Sequence, residues 1–233
     1  LRPLATRKSS EAVLNSLFKF KNNLIGGSAD LAGSNNTKSK FNKVINAKNF
    51  GGDYIHYGVR EHAMCGIMNG LALHSNLIPY GGTFLIFSDY CKPSIRLSAL
   101  MKQRVIYVMT HDSIGLGEDG PTHQPIEQLS GLRSRPNLNI LRPADQTETI
   151  ECWDLALKNL KTPSVLALTR QNLDPIRKRF TSKNKCSYGA YEVMRTNKKI
   201  KITILATGSE VNLALNISHK LAKEKLYSKV ISM

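Results

Sequence analysis

Arg104-Val-Ile-Tyr-Val-Met109 runs straight into Thr110-His-Asp-Ser-Ile-Gly-Leu-Gly-Glu-Asp-Gly-Pro-Thr-His-Gln-Pro125. A short unbroken apolar run between an arginine and a polar loop predicts a strand buried on both faces, as in a parallel sheet covered by helices. The run that follows packs two histidines, three acids, three glycines and two prolines together. Ligands in open α/β sheets sit beyond the carboxyl ends of the strands, so chemistry is expected here. His111 and His123 titrate near neutral pH, Asp119 can accept from a hydroxyl, and glycines let backbone N–H groups approach a ligand. The loop points to a polar, even anionic, substrate.

Working outward, short apolar runs alternate with helical patterns throughout, which favours a mostly parallel sheet with helices on both faces. Thr6 or Ser9 is placed to cap a helix carrying Val13, Leu14, Leu17 and Phe18, followed by a strand at Leu24-Ile25, a Gly-Gly turn and a polar loop to about residue 53. Tyr54-Ile-His-Tyr57 leads into a helix with Ala63, Met64, Ile67, Met68 and Leu71 on one side, and Ile78-Pro-Tyr80 returns as a strand. Phe84 is expected to open the next helix. Strands at Leu138–Leu141 and Ser164–Leu168 flank a helix over 148–160, and Asp174-Pro175 marks the exit. This reading sets one domain over 1–175, a basic linker over 176–200, and an incomplete second α/β domain over 201–233 with strands at Ile202–Leu205 and Lys229–Ser232.

The formal charge is +16, from 33 basic and 17 acidic residues. Nine basic residues (Arg177, Lys178, Arg179, Lys183, Lys185, Arg195, Lys198, Lys199 and Lys201) stand against Asp174 and Glu192 in one stretch, which reads as a solvated linker. With no aromatic-lined groove and no nucleic-acid motif, a nucleic-acid partner is not expected. No apolar run approaches the roughly 18 residues a bilayer demands, and the first residues lack a leader's apolar stretch, so a cytoplasmic protein with no membrane partner is expected. Cys65, Cys91, Cys152 and Cys186 are scattered and form no C-x-x-C pair, so reduced, mostly buried thiols are expected.

Glu61, in Tyr57-Gly-Val-Arg-Glu-His62, falls in the first turn of a helix, where its ionised form is favoured. Proton transfer at neutral pH would need burial against a ligand or another subunit to overcome that bias. Phe84, Phe87 and Tyr90 have the spacing of one helical face, which suits an aromatic platform or core packing alike. Arg7, Ser34 and Arg170 each lie at an element end, where phosphate oxygens are gripped and where surface ion pairs also form. His111, Glu118, Asp119 and His123 include no histidine pair at i, i+4, so no metal site is expected on this chain. Gly115, Gly117 and Gly120 match the dinucleotide glycine spacing by coincidence, because no helix is expected to start there.

In this order, Ala5-Thr-Arg-Lys8, Gly26-Gly-Ser-Ala-Asp-Leu-Ala32, Tyr54-Ile-His-Tyr-Gly-Val-Arg-Glu61, Thr83-Phe-Leu-Ile-Phe87, the Thr110–Pro125 run and Thr169-Arg-Gln-Asn-Leu173 resemble the transketolase family across the whole chain. The resemblance implies a pyrimidine-binding domain followed by the start of the family's carboxyl-terminal domain. It implies that Glu61 bonds the aminopyrimidine of thiamine diphosphate, favouring the imino tautomer that deprotonates the thiazolium. Phe87 would stack on that ring, with Phe84 and Tyr90 building the pocket and Asp30 near the cofactor. Arg7, Ser34, His111 and Arg170 would surround a sugar phosphate, Asp119 would meet a ketose hydroxyl, and His123 would lie near the reacting hydroxyls.

The implied reaction is ketol transfer between sugar phosphates in the pentose phosphate pathway. The family's Gly-Asp-Gly motif for the diphosphate and magnesium is missing from this chain, so both would be bound by an amino-terminal domain, contributed by the second subunit of a homodimer. The chain by itself is expected to be inactive. Gly33 replaces a proline common in relatives, and Gly81-Gly82 is looser than usual; both bear on loop flexibility. Two related thiamine-diphosphate enzymes, a dihydroxyacetone synthase and a deoxyxylulose-phosphate synthase, are the alternatives, as is a non-catalytic partner subunit.

Overall fold

The computed structural model describes residues 2–20, 23–177, 181–196 and 198–233. The elements are α1 (Thr6–Leu17), β1 (Leu24–Ser28), α2 (Ala32–Asn35), β2 (Tyr54–His56), α3 (Glu61–His74), β3 (Ile78–Phe84), α4 (Ser88–Leu100), β4 (Ile106–Thr110), α5 (Gln128–Arg133), β5 (Asn139–Leu141), α6 (Gln146–Lys158), β6 (Ser164–Leu168), β7 (Tyr191–Arg195), β8 (Ile202–Ala206), α7 (Glu210–Lys223) and β9 (Ser228–Ser232). Six strands form one parallel sheet in the order β2-β1-β3-β4-β6-β5, and three form a second in the order β7-β9-β8.

The period of two in β4, carried back to Val105 just before it, sorts side chains between two cores. Val105, Tyr107 and Met109 face α3 and α4 through Met64, Met68, Cys91 and Ile95, while Ile106 and Val108 face α1 and α6 through Leu14, Cys152 and Trp153. Trp153 is fully buried and its indole N–H donates to Ser10 Oγ at 2.9 Å, so a large apolar side chain leaves no donor unpaired. This doubly covered sheet is the expected fold class.

Several local expectations shift. Phe84 ends β3 rather than opening a helix; the chain turns over Phe84–Phe87 before α4 begins at Ser88. Gly26-Gly27 is no turn but the middle of β1, where a Cβ would run into the rings of Tyr80 and Tyr57 respectively. Gly81-Gly82 is likewise inside β3: a Cβ on Gly81 would meet Met68 Sδ at 2.7 Å, and one on Gly82 would meet Thr37 at 2.5 Å. Close packing, rather than looseness, accounts for both pairs. Neither Thr6 nor Ser9 caps α1; Ala5 does so with no side-chain bond, because Thr6 is already tied to Thr169. On α3 the buried face is Met64, Cys65 and Met68, and Ile67 points outward.

The expected basic linker contains β7, whose Tyr191 hydroxyl donates to Glu148 at 2.7 Å. Lys178 and Arg179 lie outside the described residues. The second unit docks on the first through Ala144, Ile176 and Val211. Asp145 reinforces that joint: Oδ1 caps α6 by accepting from Glu148 N at 2.8 Å, and Oδ2 accepts from Ile176 N at 3.0 Å.

Candidate functional site

Strand register decides what can meet. Phe84 pairs with Thr110, and Thr110 with Leu168, so β3, β4 and β6 end side by side, while Ser28 at the end of β1 pairs with Gly82. The segments leaving those ends carry Asp30 and Ser34, Phe87, His111 to His123, and Arg170. Arg7 joins them although it is far away in sequence. An antiparallel bridge between Leu4 and Leu173, with reciprocal bonds between the Thr6 and Thr169 backbone amides and hydroxyls at 3.0 and 2.7 Å, lays the first turn of α1 against the Arg170 segment. Arg7 Nη1 then donates to the carbonyl oxygen of Ser34 at 2.6 Å.

Glu61 opens α3 almost fully buried, and Thr83 Oγ1 donates to its Oε1 at 3.4 Å. Next to Thr83, Phe84 stacks on Phe87 with centroids 5.7 Å apart and planes 7° from parallel. On Phe84 lies the His111 ring at 3.7 Å, and His123 meets Phe84 and Phe87 edge-on at 5.9 and 5.5 Å. Tyr90 tilts against Phe87 at 5.9 Å and is 64% exposed, so it forms a rim. The three rings do meet, but a strand end and a turn bring them together, rather than one helical face.

His111 is buried, and burial together with the nearby cations Arg7 and Arg170 lowers its pKa to about 4, against the pull of Asp119. It is therefore a neutral imidazole at pH 7. Its Nδ1 bonds Thr110 Oγ1 at 2.9 Å, and its Nε2 stands 3.8 Å from Asp119 Oδ2. Because the ring is neutral, that separation is no ion pair. Burial and the like charge of Arg170 also hold Arg7 below the usual guanidinium range, with Asp119 opposing. Arg7 and Arg170 thus lie near enough to repel each other, an arrangement that favours an anion between them. At the rim Arg170 pairs with Glu118. Asp30 follows β1 in the left-handed region at φ 59° and is exposed.

Two groups escaped the sequence reading. Asn35 and Thr110 sit beneath His111, Thr110 Oγ1 donating to Asn35 Oδ1 at 2.9 Å. Asp112, counted among the loop's acids but given no role, is buried and accepts from Arg142 Nε at 2.7 Å. Its place in the loop was the only signal, since thirty residues separate it from Arg142. Among the described residues no group of three metal-ligating side chains comes together.

The carboxyl edge of the parallel sheet thus gathers stacked aromatics, a buried carboxylate and two arginines, in a fold of the α/β class. Residues 2–175 match the transketolase pyrimidine binding domain and residues 189–233 the transketolase-like C-terminal domain, and the chain belongs to the transketolase family. It is 53% identical over 231 residues to a transketolase of Sinorhizobium medicae, covering 99% of this chain and 33% of that protein. Among solved structures, a Leishmania mexicana transketolase superposes with TM-score 0.94 at 47% identity, covering 100% of this chain and 34% of that one. A Pichia stipitis transketolase in complex with sedoheptulose-7-phosphate gives 0.95 at 46%, with 100% and 35% covered. The chain spans about a third of the length of these relatives. A split-gene transketolase described as an inactive β4 tetramer is 26% identical, with TM-score 0.78, and the match covers 99% of this chain and 70% of that one.

Proposed function

We propose that this chain supplies the pyrimidine-binding half of a transketolase active site, for transfer of a two-carbon ketol unit from a ketose phosphate to an aldose phosphate. The observation that carries this reading is the unbroken line of neighbours from Glu61 through Thr83, Phe84, His111 and Asp119 to Arg7 and Arg170. It joins a cofactor end to an anion end in one row of residues.

The residues present fit the pyrimidine end of thiamine diphosphate: a buried carboxylate beside stacked phenylalanines, with Tyr90 at the rim; Asp30, past the end of β1, is the further cofactor residue in this reading. When bound, the cofactor supplies the nucleophile that attacks the ketose carbonyl. Glu61 holds a proton at the pyrimidine nitrogen, Phe87 orients the ring by stacking, and Phe84 keeps water from beneath it. Arg7, Arg170, Ser34 and neutral His111 hold the sugar phosphate; Asp119 accepts from a ketose hydroxyl; His123, which touches the aromatic shelf and is partly exposed, reaches the reacting hydroxyls and moves their protons. Arg170 releases Glu118 to take the anion.

In this reading residues 1–175 form the pyrimidine-binding domain and 189–233, with β7 included, the start of the carboxyl-terminal one. The diphosphate and magnesium belong to an amino-terminal segment presented by the other subunit of a homodimer, so the isolated chain is inactive. The inactive split-gene relative supports that expectation. Work in the cytoplasm, in the pentose phosphate pathway, follows from the same family reading. The test is complementation: the chain mixed with an amino-terminal transketolase segment, thiamine diphosphate and magnesium is expected to transfer ketol units, and Glu61→Ala to abolish the activity. Undiminished turnover in Glu61→Ala would overturn the assigned proton role.

A further inference from the structure

His111 occupies the left-handed region at φ 60° while carrying a buried side chain. An L residue of this bulk stays there only when its surroundings fix it from both sides. On the amino side Thr110 closes β4, and its hydroxyl meets His111 Nδ1 at 2.9 Å. On the carboxyl side the anchor is Asp112. Its carboxylate is fully buried and accepts from Arg142 Nε at 2.7 Å.

Arg142, just past β5, is held in turn by the second unit. Its Nη1 donates to the carbonyl oxygen of Thr207 at 3.1 Å and pairs with Glu210, and its Nη2 donates to Ser209 Oγ at 3.3 Å. Gly208 lies against the guanidinium: it has φ 58°, and a Cβ there would stand 2.7 Å from Arg142 Nε. The turn before α7 is thus shaped around this one side chain. Burial pushes the Asp112 carboxyl up and Arg142 opposes the shift, so without the guanidinium a buried charge beside His111 loses its partner.

We propose that Arg142 is a positioning residue through which the second α/β unit braces the His111 loop, so that the Thr207–Glu210 turn helps set the geometry of the sugar-phosphate pocket. The alternative is that the cluster only glues two units together. The proposal rests on the reading of His111 as a substrate contact for its meaning in catalysis, although the brace itself does not.

Nuclear magnetic resonance of the 233-residue chain labelled at histidine tests it. The Phe84 ring 3.7 Å from His111 displaces the His111 ring protons, and His111→Gln identifies their signals. In Arg142→Lys and Gly208→Ala that displacement is expected to collapse and the signals to broaden, with a smaller change in Glu210→Gln. His62, on α3, and His219, late in α7, should keep their shifts and so report an intact fold. If Gly208→Ala unfolds the second unit, Arg142→Lys and Glu210→Gln decide the matter. Unmoved His111 protons in the folded variants would overturn the proposal and leave the cluster as glue. Titration with inorganic phosphate separates the two readings: a brace that responds to the variants while His111 ignores phosphate removes the substrate role and leaves the brace standing.

Discussion

β4 and β8 are both five-residue, largely apolar parallel strands, yet one is buried on both faces and the other alternates in exposure, with Leu205 62% exposed. The difference lies in their surroundings rather than in their composition. Helices α1 and α6 cover one face of the first sheet and α3 and α4 the other, whereas α7 packs against β8 and β9 of the second. The candidate site sits at the end of the doubly covered strand. Strict geometry is affordable there because close packing on both faces holds β3, β4 and β6 in register, and the register sets the spacing of Phe84, His111 and Arg170.

If that contrast is right, substitutions should differ sharply in cost between the regions. Trp153→Ala, which empties a fully buried site and orphans Ser10, is expected to destabilise by about 3–5 kcal/mol in chemical denaturation. Asp145→Ala, at the joint between the units, removes a helix cap and leaves the Ile176 N–H unpaired; a loss of about 2 kcal/mol is expected.

Acidification should weaken the site end of the first unit in a defined window. A free imidazole takes up its proton near 6.5, while His111 stays neutral down to about 4. Above 6.5 its contribution is fully present; as pH falls from 6.5 to about 4 only the unfolded chain binds the proton, so stability is lost across that interval. Denaturation midpoints at the two ends of this window should therefore fall further for the wild type than for His111→Gln. At the uncovered end, Leu205→Ala should change stability by under about 0.5 kcal/mol; a loss comparable to that of Trp153→Ala would show that the second sheet is as tightly packed as the first.

Much of this was legible in the residues. β4 could be read because a strand buried on both faces must be continuously apolar, and the loop after it because histidines, acids and glycines seldom gather without use. β7 was missed because Met194 follows Val193 and breaks the period of two, the register shifts between Glu192 and Met194, and lysines crowd its flanks. The start of α4 was misplaced by four residues because Phe84, Phe87 and Tyr90 fit a helical spacing even though only Tyr90 lies within the helix. Gly26 and Gly27 resembled a turn because sequence cannot show which ring a Cβ would strike.

Local order and chemistry were settled by the sequence itself: the alternation of strands and helices, the buried β4, and a polar loop beyond it carrying imidazoles and carboxylates. Those features depend on neighbours a few residues apart, whose periodicity and turn chemistry are written into the chain. Tertiary structure alone decided that the Leu4–Leu173 bridge brings the Arg7 turn alongside the Arg170 segment, that His111 is held neutral, and that Arg142 ties Asp112 to the turn before α7. Each of these depends on distance and burial between residues far apart along the chain, which spacing in sequence does not encode.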